Sequence, residues 1–171
     1  DPGPTFYYTD THWPAPMLLA KISIDSQLLA IQYSKNSIYV VDILGGRKWN
    51  IYIKSANGSE ILPNGVIWSE HGGNSQDLIF VTSRGIELYK VSTARGQCKL
   101  SRNITIKNHF FWYEPNFRFI LVAVTARDMT LEATGFFLRY DMSDMPRLEL
   151  PPPDRTSTFT LGGGAGPQDV K

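Results

Sequence analysis

Residues 77–92 read DLIFVTSRGIELYKVS, and this stretch limits the possible fold more than any other. Leu78, Ile79, Phe80 and Val81 form an unbroken apolar run. Ser83, Arg84 and Gly85 interrupt it, and Ile86, Leu88, Tyr89 and Val91 resume it. Two short β-rich runs around a polar, glycine-containing break read as a tight hairpin. An isolated hairpin is marginal in water, so its faces need neighbours.

The chain supplies them. Residues 27–43, QLLAIQYSKNSIYVVDI, repeat the pattern, with apolar runs at 28–31 and 38–43 around the polar break Tyr33-Ser34-Lys35-Asn36. Residues 117–141 repeat it again, with runs at 119–124 and 136–140 and a longer connection. Each hairpin is flanked by two further strand candidates: 18–25 and 48–55, then 65–70 and 98–106, then 109–115 and 147–153. The inner runs start near Leu28, Leu78 and Phe119, a recurrence of about 40 to 50 residues. Four short antiparallel strands at that period predict an all-β chain of WD40-like β-propeller blades. About three four-stranded blades of a larger propeller are expected, at 17–64, 65–107 and 108–153. Residues 1–16 are read as a lead-in and 154–171 as a flexible tail or the start of the next blade, with 158–161 extended. A four-stranded blade has two apolar faces, which only neighbouring blades can cover. Inner strands are then apolar on both sides, while outer strands alternate, as Trp49, Ile51 and Ile53 do against Asn50, Tyr52 and Lys54. Three blades fall short of the typical four or more, so either further chain follows or an open edge meets a partner, and the first is expected. A β-sandwich of similar strand count is the rival. It has no need of strands grouped in fours. The one stretch with helical character is 126–134, ARDMTLEAT.

Composition narrows the function classes. The chain has 171 residues, enough for one domain with a sizeable core, and 42% of them are hydrophobic. Seventeen Lys and Arg against 16 Asp and Glu leave a net charge of +1, which argues against a nucleic-acid binder or a polybasic membrane anchor. The longest apolar run, 119–124, is far shorter than the about 20 residues of a membrane span. A single cysteine, Cys98, permits no internal disulfide and points to a reducing compartment. The sequons at Asn57 and Asn103 are expected to go unused. The chain starts at Asp1 rather than Met and reads as a fragment, so a targeting segment is not excluded.

No catalytic pattern stands out. His12, His71 and His109 lack metal-ligand spacing. His71 lies near Glu70 and Asp77 in SEHGGNSQD, read as a solvated loop in preference to a metal or acid–base pair. The run Gly162-Gly163-Gly164-Ala165-Gly166 lacks the Lys-Ser/Thr of a phosphate-binding loop, and Gly45-Gly46-Arg47 reads as a turn. No Gly-x-Ser-x-Gly elbow occurs. Cys98 is read as a buried structural thiol. A propeller hydrolase would need carboxylates gathered at the central channel, and Asp25, Asp42, Glu70 and Asp141 follow no repeated box. Phe110, Phe111, Trp112 and Tyr113 alternate across a strand, read as packing between blades, with a partner-binding patch as the functional alternative. Tyr7, Tyr8 and Trp13 pose the same choice. RNA stacking on these rings would need cations, and only Lys107 and Arg118 are close. No catalytic, cofactor-binding or metal-binding residue is assigned, and the partner-binding residues are left open.

The stretches KISIDSQLLAIQYSKNSIYVVD, GVIWSEHGGNSQDLIFVTSRGIELYKVS and HFFWYEPNFRFILVAVT occur in that order. They resemble the N-terminal propeller of the regulators of the Mon–Ccz complex, the family called Bulli in flies, whose C-terminal part is the helical Mic domain. The most specific piece is the Gly-Ile-Glu-x-Tyr-x-Val hairpin within 80–91, followed by a basic strand at 99–106 and an aromatic strand, 110–115, ending in proline. The likeness covers roughly 21–150. The stretches 69–76 and 126–135 look longer than in the family, and the glycine-rich tail has no counterpart. The resemblance implies a non-catalytic subunit without cofactor, bound to the Mon–Ccz heterodimer and through it to the late-endosomal Rab GTPase. It would serve late-endosome and lysosome maturation and autophagy, cytoplasmic and only peripherally on membranes. A tethering or coat-type propeller is the alternative, ahead of a propeller hydrolase.

Overall fold

The computed structural model describes residues 17–53, 58–72, 75–138 and 155–161, with the backbone alone at 71–72 and 155–161. These residues form twelve strands and no helix. Sheet 1 holds β1 (Leu19–Ile22), β2 (Leu28–Ser34), β3 (Ser37–Asp42) and β4 (Lys48–Tyr52). Sheet 2 holds β5 (Ile61–Gly72), β6 (Ser75–Thr82), β7 (Gly85–Ser92) and β8 (Gln97–Thr105). Sheet 3 holds β9 (Phe110–Glu114), β10 (Phe119–Thr125), β11 (Leu131–Phe137) and β12 (Arg155–Leu161). Within each sheet the strands run antiparallel in chain order. Three consecutive four-stranded meanders are propeller blades, and the two-sheet sandwich is excluded.

The sheets stack face to face. One core joins Leu28, Ala30, Ile38, Val40 and Ile51 of sheet 1 to Val66, Leu78, Phe80, Tyr89 and Val91 of sheet 2. A second joins Ile79, Val81, Ile86 and Leu88 on the opposite face of sheet 2 to Ile120, Val122, Phe136 and Leu138. Sheet 2 is thus covered on both sides, which is why every residue of β6 is buried. The outer strand β4 alternates instead, with Ile51 buried and Lys48, Asn50 and Tyr52 exposed.

The opening hairpin closes through a two-residue turn at Ser83 and Arg84. The Thr82 hydroxyl donates to the Gly85 carbonyl at 3.2 Å and accepts the Arg84 amide at 3.2 Å. A Cβ at Gly85 would collide with the Ile104 carbonyl oxygen, so glycine alone lets β8 pack this closely.

Three expectations change. Strand β5 begins at Ile61, before residue 65, because Pro63, with no amide hydrogen, and Asn64, with φ +60°, bulge out between the Ile61–Thr82 and Val66–Phe80 pairs. The helical character at 126–134 is overridden. Residues 126–130 turn, with Met129 at φ +68°, and β11 occupies Leu131–Phe137 rather than 136–140. The fourth strand of sheet 3 is Arg155–Leu161, within the stretch read as a tail, while the expected 147–153 lies outside the described residues. Pro151, Pro152 and Pro153 cannot donate to a ladder, whereas Thr156, Thr158 and Thr160 suit one.

Candidate interaction surface

Strand β9 divides its aromatic residues between two environments. Phe111 pairs with Val122 and Tyr113 with Ile120, and both rings pack into the core between sheets 2 and 3. Phe110, paired with Ala123, and Trp112, paired with Leu121, lie on the other face and are 50% and 52% exposed. The alternation read from the sequence holds, and the packing role falls to Phe111 and Tyr113 alone. Around Phe110 and Trp112, the registers place Phe119, Leu121, Leu131 and Phe137 on the same face, each half-buried. Phe119 and Phe137 meet at 5.2 Å between ring centroids, and Ala123, Ala133 and Gly135 form a flat floor between the large side chains. A contiguous apolar face of this kind marks an association surface.

The polar centre of the molecule lies between sheets 2 and 3. Arg118, in the turn before β10, reaches across to sheet 2. Its Nη2 is 2.6 Å from Asp77 Oδ2, and Nη1 donates to Ser69 Oγ at 2.7 Å and to the Glu70 carbonyl at 3.2 Å. Its Nε donates to the Leu138 carbonyl at 2.6 Å. Asp77 is 1% exposed, so each charge is buried against the other. Two readings therefore change. The stretch around Asp77 is not a solvated loop, since Ser75, Gln76 and Asp77 are buried in β6. Arg118 is an internal bridge, which leaves Lys107 as the one exposed cation of the two. A burial signal was legible: Asp77 abuts an apolar run expected to be covered on both faces, and a charge there needs a partner.

Among the described residues, the remaining candidates do not assemble a reaction centre. Asp25 accepts the Ser23 hydroxyl at 2.6 Å and the Gln27 amide at 3.1 Å, and Asp42 accepts the Gly45 amide at 3.0 Å, so both organise turns of sheet 1. His109 Nδ1 accepts the Thr125 amide at 3.3 Å. Among the described residues no three His, Cys, Asp or Glu side chains are grouped to hold a metal. Cys98 is half-buried beside the first core, and burial pushes its thiol up to about 12. Such a thiol is no nucleophile at neutral pH. Tyr7, Tyr8, His12, Trp13, Asp141 and 162–166 lie outside the described residues, as does the side chain of His71.

Comparison with known proteins gives a consistent result. Residues 9–98 match the family model described as regulator of MON1-CCZ1 complex, N-terminal. The mouse protein named regulator of MON1-CCZ1 complex is 23% identical over 143 residues, covering 82% of this chain and 21% of that protein. The human protein of the same name is 23% identical over 130 residues, covering 76% and 19%. The chain thus spans about a fifth of the length of these curated relatives. A solved structure of a protein from Lactobacillus plantarum is similar with a TM-score of 0.46 and 16% identity, over 85% of this chain and 45% of that one.

Proposed function

The chain belongs to the family of regulators of the MON1-CCZ1 complex, and from this we propose that it is a non-catalytic propeller scaffold within that complex. In this reading the complex is a Rab guanine-nucleotide exchange factor, and the protein acts peripherally on late-endosomal and lysosomal membranes in maturation and autophagy. The family match over 9–98 carries the reading. Chemistry supports it: the carboxylates of sheet 1 are engaged in turns, the buried Asp77 is committed to Arg118, and the one thiol is held protonated. The open face of sheet 3, with Phe110 and Trp112, suits a further blade of the same propeller, repeating the contact that sheets 1 and 2 make.

The test is co-purification of the protein with a recombinant MON1-CCZ1 heterodimer, followed by nucleotide exchange on the late-endosomal Rab GTPase. Co-elution with altered exchange or improved recovery of the complex supports the reading. Failure to co-elute at low and physiological salt, with exchange unchanged, refutes it and favours a propeller that tethers other trafficking proteins.

A further inference from the structure

The outer edge of sheet 2 has features that the stacking of the sheets does not use. Strand β8 is last in its sheet, and no described strand pairs with its far side. It runs for nine residues, against five in β4, the corresponding edge of sheet 1. A long open edge presents unpaired amides and carbonyls and is a template for another strand. Ile106 donates its amide to the Arg84 carbonyl at 3.1 Å, and alternation from there turns the backbone groups of Asn103 and Thr105 outward.

This edge has a sign. From residue 88 to residue 113 the chain carries Lys90, Arg95, Lys99, Arg102 and Lys107 and no Asp or Glu, in a protein whose charges nearly balance as a whole. Arg95, Lys99 and Lys107 are exposed, and none of the three forms an ion pair among the described residues. The register sets Lys99 directly opposite Lys90, whose neighbour on the other side is Asp77, so Lys99 is the outermost charge of that row.

Lysines on an edge also guard against indiscriminate pairing. Here the guard is selective. A second copy of this edge would bring cations against cations, and an acidic strand would bring their complement. We propose that the outer edge of β8 receives an extended acidic segment of a partner protein as a fifth strand of sheet 2, its carboxylates meeting Arg95, Lys99 and Lys107. The proposal does not depend on which complex the protein joins.

The experiment measures binding of a fluorescent peptide of alternating glutamate and threonine to the protein by anisotropy, beside serine–threonine and lysine–threonine peptides. The acidic peptide is expected to bind about tenfold more tightly than the neutral one, with the preference shrinking as salt screens the charges. Lys99→Glu combined with Lys107→Glu should abolish the preference. Thr105→Pro should weaken binding with all charges retained, because it removes only an outward amide and crowds the added strand. Circular dichroism checks that each variant is folded, and the charge reversal serves if the proline variant is not. Absence of acidic-peptide binding would overturn the proposal. So would equal binding by a folded Thr105→Pro protein, which would mean adhesion without strand addition. Equal or tighter binding to phosphatidylserine vesicles or a DNA oligonucleotide would assign the edge to another class of partner and equally overturn it.

Discussion

Arg118 shows how much can depend on one side chain. With φ +48° it leaves the turn after Pro115 in a conformation that few non-glycine residues adopt, and it spends its guanidinium on four acceptors from two sheets. Arg118→Met takes the 2.6 Å ion-pair partner from the buried Asp77 carboxylate and should cost about 3–5 kcal/mol in urea unfolding. Pairing it with Asp77→Asn removes the buried negative charge, so the double variant should be more stable than Arg118→Met alone. A double variant that is less stable would mean that Asp77 is satisfied without the arginine. Cys98 gives a pH-dependent prediction. Its pKa rises on folding from 9.0 to about 12, so the folded state holds a proton that the unfolded state has lost between those values. The stabilisation is complete below pH 9 and disappears as pH climbs through 12. At pH 8 the native thiol should react with a disulfide reagent about a hundredfold or more slowly than in the denatured chain, and a native rate equal to the denatured rate would contradict the burial.

Within a single strand, β9 sets two kinds of aromatic residue side by side. Phe111→Ala opens a cavity in the core between sheets and should cost about 3–5 kcal/mol, whereas Trp112→Ser, on the open face, should cost about 1 kcal/mol or less. Chemical denaturation of the two variants compares the faces directly, and equal losses would mean that the open face is already covered. The alternation that separates these residues was visible in the sequence, as were the apolar run Leu78 to Val81 of β6 and the grouping of strands in fours, because periodicity is a local property. Strand β11 was not visible. Leu131, Glu132 and Ala133 favour a helix, and only pairing with β10 makes them extended. The start of β5 was hidden by the Pro63–Asn64 bulge; of β12 the extended stretch 158–161 was visible, and its place as the fourth strand of sheet 3 was hidden by the proline run before it. The Arg118–Asp77 pair was out of reach for a different reason. Its members stand 41 positions apart, and neither carries a local mark of the other.

Across the molecule, stability is graded from the middle outwards. Sheet 2 has cores on both faces, while sheet 3 leaves Phe110 and Trp112 open and β4 and β8 lie at sheet edges. Amide exchange should be slowest in β6 and β7 and fastest in β4 and β8, and uniform protection would show that the sheets open only together. The bridge between sheets 2 and 3 also gives the fold a direction in time. During synthesis Asp77 emerges 41 residues before Arg118, so the bridge can close only after all four strands of sheet 2 have been made. The face of sheet 2 that meets sheet 3 therefore gains its cover only with residue 118 and the strands that follow it. Pulse proteolysis of chains stalled before and after that position would find sheet 2 protected only in the longer ones. The middle blade is thus secured by a lock that none of its own four strands contains.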